Sequence, residues 1–247
     1  MPSSVAVFTR EDVRVLVVGF PTGALQANCY LIAPGEGEAC VIVDPGQDAA
    51  EPVAEAIKEH GLTPVAAILT HGHFDHCFAV APICDGNDIP AWIHPDDRDL
   101  LSDPLKGVSA ESAAFFGGKL AMREPQEVRE LTDQSVLDLA GLSMTVDHTP
   151  GHTQGSVTFR CGTQEGGRLL FAGDTLFAGS IGRTDLPGGD VHKMAQSLRT
   201  KILTLPDDTV VLPGHGPTTT IGRERVTNPF LAGLEEGSTV PGPLRGL

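Results

Sequence analysis

The stretch Thr70-His71-Gly72-His73-Phe74-Asp75-His76 constrains this chain more than any other. It follows directly on Val65-Ala66-Ala67-Ile68-Leu69, an apolar run with the composition of a buried strand. Three imidazoles and a carboxylate at the end of a strand put strong metal donors at a sheet edge, where loops build sites. Imidazole nitrogens and carboxylate oxygens suit zinc, and also iron or manganese. His71 and His73 are two apart, so an extended turn aims both at one ion. Asp75 and His76 are adjacent and must diverge, which suits a second ion nearby. The alternative is a solvated polar loop, and donors this dense argue against it.

Three more donors recur in the same kind of place. His152 sits in Thr149-Pro150-Gly151-His152-Thr153, after an expected strand over 142–147. Asp174 sits in Phe171-Ala172-Gly173-Asp174-Thr175, and His215 in Leu212-Pro213-Gly214-His215-Gly216, each after a β-rich run. Glycine precedes each of them and lets the backbone turn tightly. Strand ends that are neighbours in a sheet would bring all seven side chains together.

The rest of the chain alternates strand and helix. Strands are expected over 13–20, 28–33, 40–43, 65–69 and 91–93. Val53, Ala56 and Ile57 predict a helix over 48–60 that Gly61 stops. A second helix is expected to begin near Cys77, and a small acidic one to span 95–101. Further strands are expected over 135–139, 142–147, 156–160, 168–171 and 209–212. Asp190 is placed to cap a helix in which Val191, Met194, Leu198 and Ile202 share a face. Residues 102–130 read as a surface helix with one buried face; Phe115-Phe116-Gly117-Gly118 inside them also suits a lid over the site. The pattern is α/β, in a single domain over 1–247 with a loose Gly- and Pro-rich tail over 237–247.

Charge narrows the partners. Seventeen basic against 32 acidic side chains give a net charge of −15, a surface that repels phosphate backbones and anionic membranes. Neither nucleic acid nor a membrane is expected as a partner. Val15-Leu16-Val17-Val18-Gly19-Phe20 is too short for a signal core or a span. Cys29, Cys40, Cys77, Cys84 and Cys161 are odd in number and lack C-x-x-C spacing, so reduced, buried thiols and a cytoplasmic location are expected. Cys77 reads as packing. His60 and His192 read as solvated, and His94 and His148 as neighbours of the site at most.

His71-x-His73-x-Asp75-His76, then His152, Asp174 and His215, in this order, resembles the metallo-β-lactamase fold superfamily over roughly residues 13 to 235. The resemblance implies a four-layered αββα sandwich, two mixed sheets with helices outside, and a binuclear centre at the sheet edges. It assigns His71, His73 and His152 to a first ion and Asp75, His76 and His215 to a second. Asp174 bridges both, and Asp75 and Asp174 carry catalytic roles. The implied cofactor is a pair of divalent ions, Zn2+ first, with Fe or Mn as alternatives.

Gly179-Ser180-Ile181-Gly182-Arg183-Thr184-Asp185 and Gly214-His215-Gly216-Pro217 are similar to the glyoxalase II-like hydrolases, hydroxyacylglutathione hydrolases that cleave thioesters such as S-lactoylglutathione. Full-length members carry a helical C-terminal domain with basic and tyrosine residues that grip glutathione. Here about thirty residues follow His215 and the sole tyrosine is Tyr30, so the small thiol of the substrate stays open. Two cations a few Å apart lower the pKa of a shared water from 15.7 to around 7. A thiolate leaves readily, its pKa being near 8.5, so no strong general acid is needed. Arg183 is the candidate for a substrate carboxylate, with an ion pair to Asp185 as its competing role, and Lys193 is a weaker one. Gly182-Arg183-Thr184-Asp185 also resembles the persulfide dioxygenases, whose single iron is held by counterparts of His71, His152 and Asp174. A lactonase or β-lactamase, and a non-catalytic metal-binding or redox-sensing module on the same fold, are further alternatives.

Overall fold

Along the strand Val13–Thr22, Val15 and Val17 join one buried cluster while Leu16, Val18 and Phe20 join another. A strand that is apolar on both faces needs a layer on each side of its sheet. The computed structural model describes residues 4–10, 13–115, 120–162, 167–232 and 234, and it meets that need with four layers.

The first sheet holds seven strands in chain order: β1 (Ser4–Arg10), β2 (Val13–Thr22), β3 (Ala27–Ala33), β4 (Ala39–Val43), β5 (Thr63–Ile68), β6 (Ala91–Ile93) and β7 (Val128–Glu130). β1 to β4 form an antiparallel meander, and β4 to β7 run parallel. Parallel neighbours need crossovers. α1 (Ala50–His60) supplies the first, and α2 (Phe74–Cys77) with α3 (Val80–Asn87) the second. α4 (Pro95–Arg98) and α5 (Ala110–Phe115) lie in the third.

The second sheet follows from β8 (Val136–Leu139), β9 (Leu142–His148), β10 (Val157–Gly162), β11 (Arg168–Gly173), β12 (Val210–Pro213) and β13 (Thr219–Thr220), in the spatial order 13-12-11-10-9-8. All pairs are antiparallel except β11 and β12. The crossover between those two carries α6 (Val191–Ser197), and α7 (Ile221–Thr227) follows β13.

Side-chain alternation sorts the core into three slabs. Ile32, Val43, Ile68, Val146, Phe159 and Phe171 lie between the sheets. Leu31, Ile42, Val53 and Ile83 lie beneath α1 and α3, and Leu170, Val211, Met194 and Leu198 beneath α6. This is the αββα sandwich, with two mixed sheets inside. Each fully buried side chain of this size contributes about 1.5–3 kcal/mol, so the sheet edges that carry the polar loops stand on a rigid base.

Several local expectations change. The helix after β5 begins at Phe74 rather than near Cys77, because extended His73 (φ −65°, ψ 142°) is its N-cap. Asp75 and His76 therefore sit on a helical turn. α6 widens into a π segment, Leu198–Ile202, where Leu203 N–H reaches back to Leu198 O at 2.8 Å. Met194, Leu198 and Ile202 repeat every four residues, a spacing that drifts around a 3.6-residue turn and is held better by a wider one; all three are buried, and Val191 is half-buried. Residues 102–130 hold a 3-10 turn at Pro104–Gly107, then α5 and β7, in place of one surface helix. β1, β13 and α7 were not foreseen. Residues 116–119 and the expected tail lie outside the described residues. Among the described residues, no helix is long and apolar enough to cross a membrane.

Candidate metal centre

The seven donors converge where the two sheets' edges meet. His71 and His73 follow β5, and Asp75 and His76 lie on α2. His152 comes from the loop after β9, Asp174 follows β11, and His215 follows β12. His73 Nδ1 is 2.8 Å from His152 Nε2, and His76 Nε2 is 3.2 Å from His215 Nε2. Asp174 Oδ1 lies 3.4 Å from His76 Nε2, while its Oδ2 lies 3.4 Å from His152 Nε2 and 3.6 Å from His215 Nε2. Asp75 Oδ2 is 3.4 Å from His215 Nε2.

Outer hydrogen bonds decide which nitrogens face inward. Thr70 donates its hydroxyl to Asp44 Oδ2 (2.6 Å), so Thr70 Oγ1 can only accept from His71 Nδ1 at 3.1 Å. His76 Nδ1 faces Asp44 Oδ2 at 3.2 Å, and His152 Nδ1 donates to Arg183 O at 2.8 Å. Each of these three rings points its Nδ1 outward at an oxygen and its Nε2 toward the centre, the arrangement that orients imidazole for a metal. His71 Nε2 and Asp174 Oδ1 are buried without a hydrogen-bond partner among the described residues. Unpaired buried acceptors are costly, and a cation would relieve that cost. Two triads, His71/His73/His152 and Asp75/His76/His215, have donor atoms close enough to share an ion. The donor set fits a pair of divalent cations.

Close backbone approach makes room for this crowding. Gly173 adopts φ +47°, a conformation that favours glycine. A Cβ on Gly214 would collide with Asp174 Oδ1 and meet His76 Cε1 at 2.8 Å. The His215 loop is in turn tied to β3, because Asn28 Nδ2 donates to Pro213 O (3.0 Å) and Gly216 O (2.9 Å), and Tyr30 Oη donates to Pro213 O (2.8 Å).

Protonation divides the triads. Burial, together with neighbouring imidazoles, pushes His71 down and takes His73 to about 3. Burial also lowers His152, to about 4. Burial acts the same way on His76, yet Asp174, Asp75 and Asp44 overcome it and lift this ring to about 10. His215 is raised as well, burial being outweighed by Asp75 and Asp174. Burial would raise Asp75, but His76 and His215 hold it well below the carboxylate range.

Several supporting residues escaped the sequence reading. Asp44, directly after β4, accepts from Thr70 N–H and Oγ1 and faces His76 Nδ1. Asp97 is 1 % exposed and joins loops of opposite sheets. Its Oδ2 accepts from Gly72 N–H (2.9 Å) and Thr153 Oγ1 (2.6 Å), and its Oδ1 from Gly155 N–H (2.7 Å). Glu224 and Asn228 hold the turn at Phe177–Ser180: Glu224 Oε2 accepts from Gly179 N–H (2.7 Å), and Asn228 Nδ2 donates to Ser180 O (3.0 Å). The available signal was an acid just past a strand, which Asp97 shares with the donors themselves.

A cleft of about 670 Å3 opens over the centre, lined by His73, Asp75, His152, Asp174, His215 and Arg183 among others. Arg183 forks onto Asp185, Nε to Oδ1 at 2.7 Å and Nη2 to Oδ2 at 2.9 Å. Lys193 is exposed on α6 and is not among the described residues lining the cleft. Asp190 caps α6 as expected, accepting from His192 and Lys193 N–H. His192 is exposed, whereas His60, expected in solvent, has a side chain only 8 % exposed beside Glu36. His94 stacks on His148 with centroids 4.1 Å apart. All five cysteines are buried free thiols, and Cys77 Sγ donates to His73 O at 3.1 Å.

Known proteins are similar to this chain. The Metallo-beta-lactamase superfamily matches residues 22–215. An uncharacterised protein of Mycobacterium tuberculosis is 47 % identical over 223 residues, covering 89 % of this chain and 99 % of its own. The probable metallo-hydrolase YqgX of Bacillus subtilis is 37 % identical, covering 87 % and 96 %. Hydroxyacylglutathione hydrolase GloC of Haemophilus influenzae is also 37 % identical, covering 85 % and 95 %. Among crystal structures, BLEG-1 B3 metallo-beta-lactamase superposes with TM-score 0.78 at 40 % identity, covering 88 % of this chain and all of its own. TTHA1623 in a di-iron-bound form gives 0.71 at 42 %, covering 86 % and 99 %. The chain belongs to the metallo-β-lactamase superfamily.

Proposed function

We propose that this protein is a metal-dependent hydrolase that cleaves a thioester of a small thiol, in the manner of glyoxalase II. The observation that carries the reading is Asp174, set between two complete triads within 3.6 Å of His76, His152 and His215. His71, His73 and His152 would hold one cation, and Asp75, His76 and His215 the other, with Asp174 shared. A pair of divalent ions supplies a hydroxide nucleophile at neutral pH and polarises a carbonyl. A persulfide dioxygenase with a single iron is the alternative, and the number of ions per chain separates the two.

The chain's own residues do the rest. Asp44 and the Arg183 carbonyl fix the rings of His76 and His152, so the donors are ordered before substrate arrives. The cleft orients the acyl group over them. In the net reaction water adds to the carbonyl carbon, the C–S bond breaks, and a carboxylic acid and a thiol leave. The thiol departs as thiolate, with a pKa near 8.5, so no side chain has to deliver a proton to it. The name of GloC supports a thioester substrate.

The test is metal analysis of protein purified without chelator, followed by a panel of S-acyl thiols with a lactone and a β-lactam alongside. Two ions per chain, with thioesters cleaved best, is the expected result. Less than one ion per chain, or a lactone or β-lactam preferred over every thioester, would overturn the reading.

A further inference from the structure

Beyond the donors, the cleft wall is made by Leu25, Phe74, Val108, Phe177, Leu186 and Pro217. Phe177 stands edge-on to His215 with centroids 5.9 Å apart, so the apolar wall begins at the donors themselves. Among the described residues lining the cleft, Arg183 is the one lysine or arginine, and Asp185 already takes its fork through two hydrogen bonds. The pair is held in place from behind, because the Arg183 carbonyl accepts from His152 Nδ1 at 2.8 Å. The Arg183 and Asp185 side chains are 40 % and 32 % exposed.

A paired guanidinium presents no net charge. Asp185 is not among the described residues lining the cleft, but it takes both Nε and Nη2 of Arg183, so an incoming carboxylate finds the guanidinium already neutralised. A carboxylate pressed against the apolar wall would also lose its water without gaining a partner. An uncharged group loses little there and gains from burying apolar surface.

We propose that the cleft selects thioesters whose thiol portion is uncharged and largely apolar, with the Arg183–Asp185 pair as the element that turns anionic thiols away. This deepens the thioester reading and rests on it. The probes are hexanoyl thioesters of 3-mercaptopropionamide and of 3-mercaptopropionate, which differ at one terminal group. The metal-loaded protein is expected to favour the amide at least tenfold in kcat/KM, with the difference residing in KM. Asp185→Asn frees the guanidinium and is expected to raise kcat/KM for the acid at least fivefold, narrowing the ratio. An acid cleaved as well as the amide, or a ratio that Asp185→Asn leaves unmoved, would overturn the proposal. Calorimetry with the matching S-hexyl thioethers separates this from the hydrolase reading. If neither thioester is cleaved but the amide thioether binds tenfold tighter than the acid, the selectivity stands and the hydrolase reading falls. Equal or reversed binding overturns the selectivity.

Discussion

His71, His73 and His152 are three imidazoles drawn from both sheets, whereas Asp75, His76 and His215 include a carboxylate, and His76 faces Asp44 Oδ2 at 3.2 Å. Burial drives the first group toward neutral rings, with His73 at about 3 and His152 at about 4. Acidic neighbours instead drive His76 up to about 10. Neutral rings in the first triad suit a cation directly, whereas in the second a cation would compete with protons that the neighbouring carboxylates favour on His76 and His215. The means of support differ too. Asp97 ties together the two loops that carry the first triad, while Asn28, Tyr30 and the close approach of Gly214 position His215 in the second. Two half-sites side by side can thus differ in affinity through partners outside them.

The largest break in that comparison comes from the residue the halves share. Asp174→Ala should reduce turnover at least about 100-fold, the upper end of the loss seen when even an outer partner of a ligand is removed. Metal content should fall from two ions to one or none. Asp97→Asn should be selective: it keeps the side chain's shape and exchanges one acceptor oxygen for an amide nitrogen. Affinity at the His71/His73/His152 half should drop about 10–100-fold, while the other half keeps its ion, as titration of the metal-free protein with cobalt would show. Equal weakening of both halves would erase the distinction.

Gly214→Ala sharpens it from the opposite side. The added methyl must displace Asp174 or His76, an overpacking that costs about 1–3 kcal/mol. The variant should melt at a lower temperature and lose the ion of the second half first. The smallest effect belongs to Asp133, remote from both triads. Burial opposes its ionisation, but His148 N–H (2.8 Å) and Lys201 Nζ (2.9 Å) hold its carboxyl below the ordinary value. A folded value below the unfolded one, about 3.9, means that its stabilisation is present above that pH and lost as pH falls through the folded value. Asp133→Asn should therefore lower Tm slightly at pH 7, and the gap to the parent should close as pH falls below about 4.

Much of this was legible in residues alone. The seven donors announce themselves because imidazoles cluster in one turn and because glycine precedes His152, Asp174 and His215. Both-face burial of β2 and β5 shows in their unbroken apolar runs. Asp97 and Asp44 do not announce themselves, since a lone acid has meaning only through its partners. Those of Asp97 lie 25 to 58 positions away in the chain. Arg183 could be read equally as a carboxylate anchor or as half of an ion pair with Asp185, and only the folded loop shows it forked on Asp185. The π segment after α6 was hidden because a four-residue apolar repeat fits an ordinary helix over short distances. Helical Asp75 and His76 were missed because the N-cap at His73 is a matter of backbone angle, not of residue type.

Anomalous X-ray diffraction at the metal edge, on crystals of protein loaded with zinc, tests the paired centre most directly. Two peaks are predicted, one among His71, His73 and His152 and the other among Asp75, His76 and His215, with Asp174 between them. A single peak, or a peak away from these side chains, would contradict it.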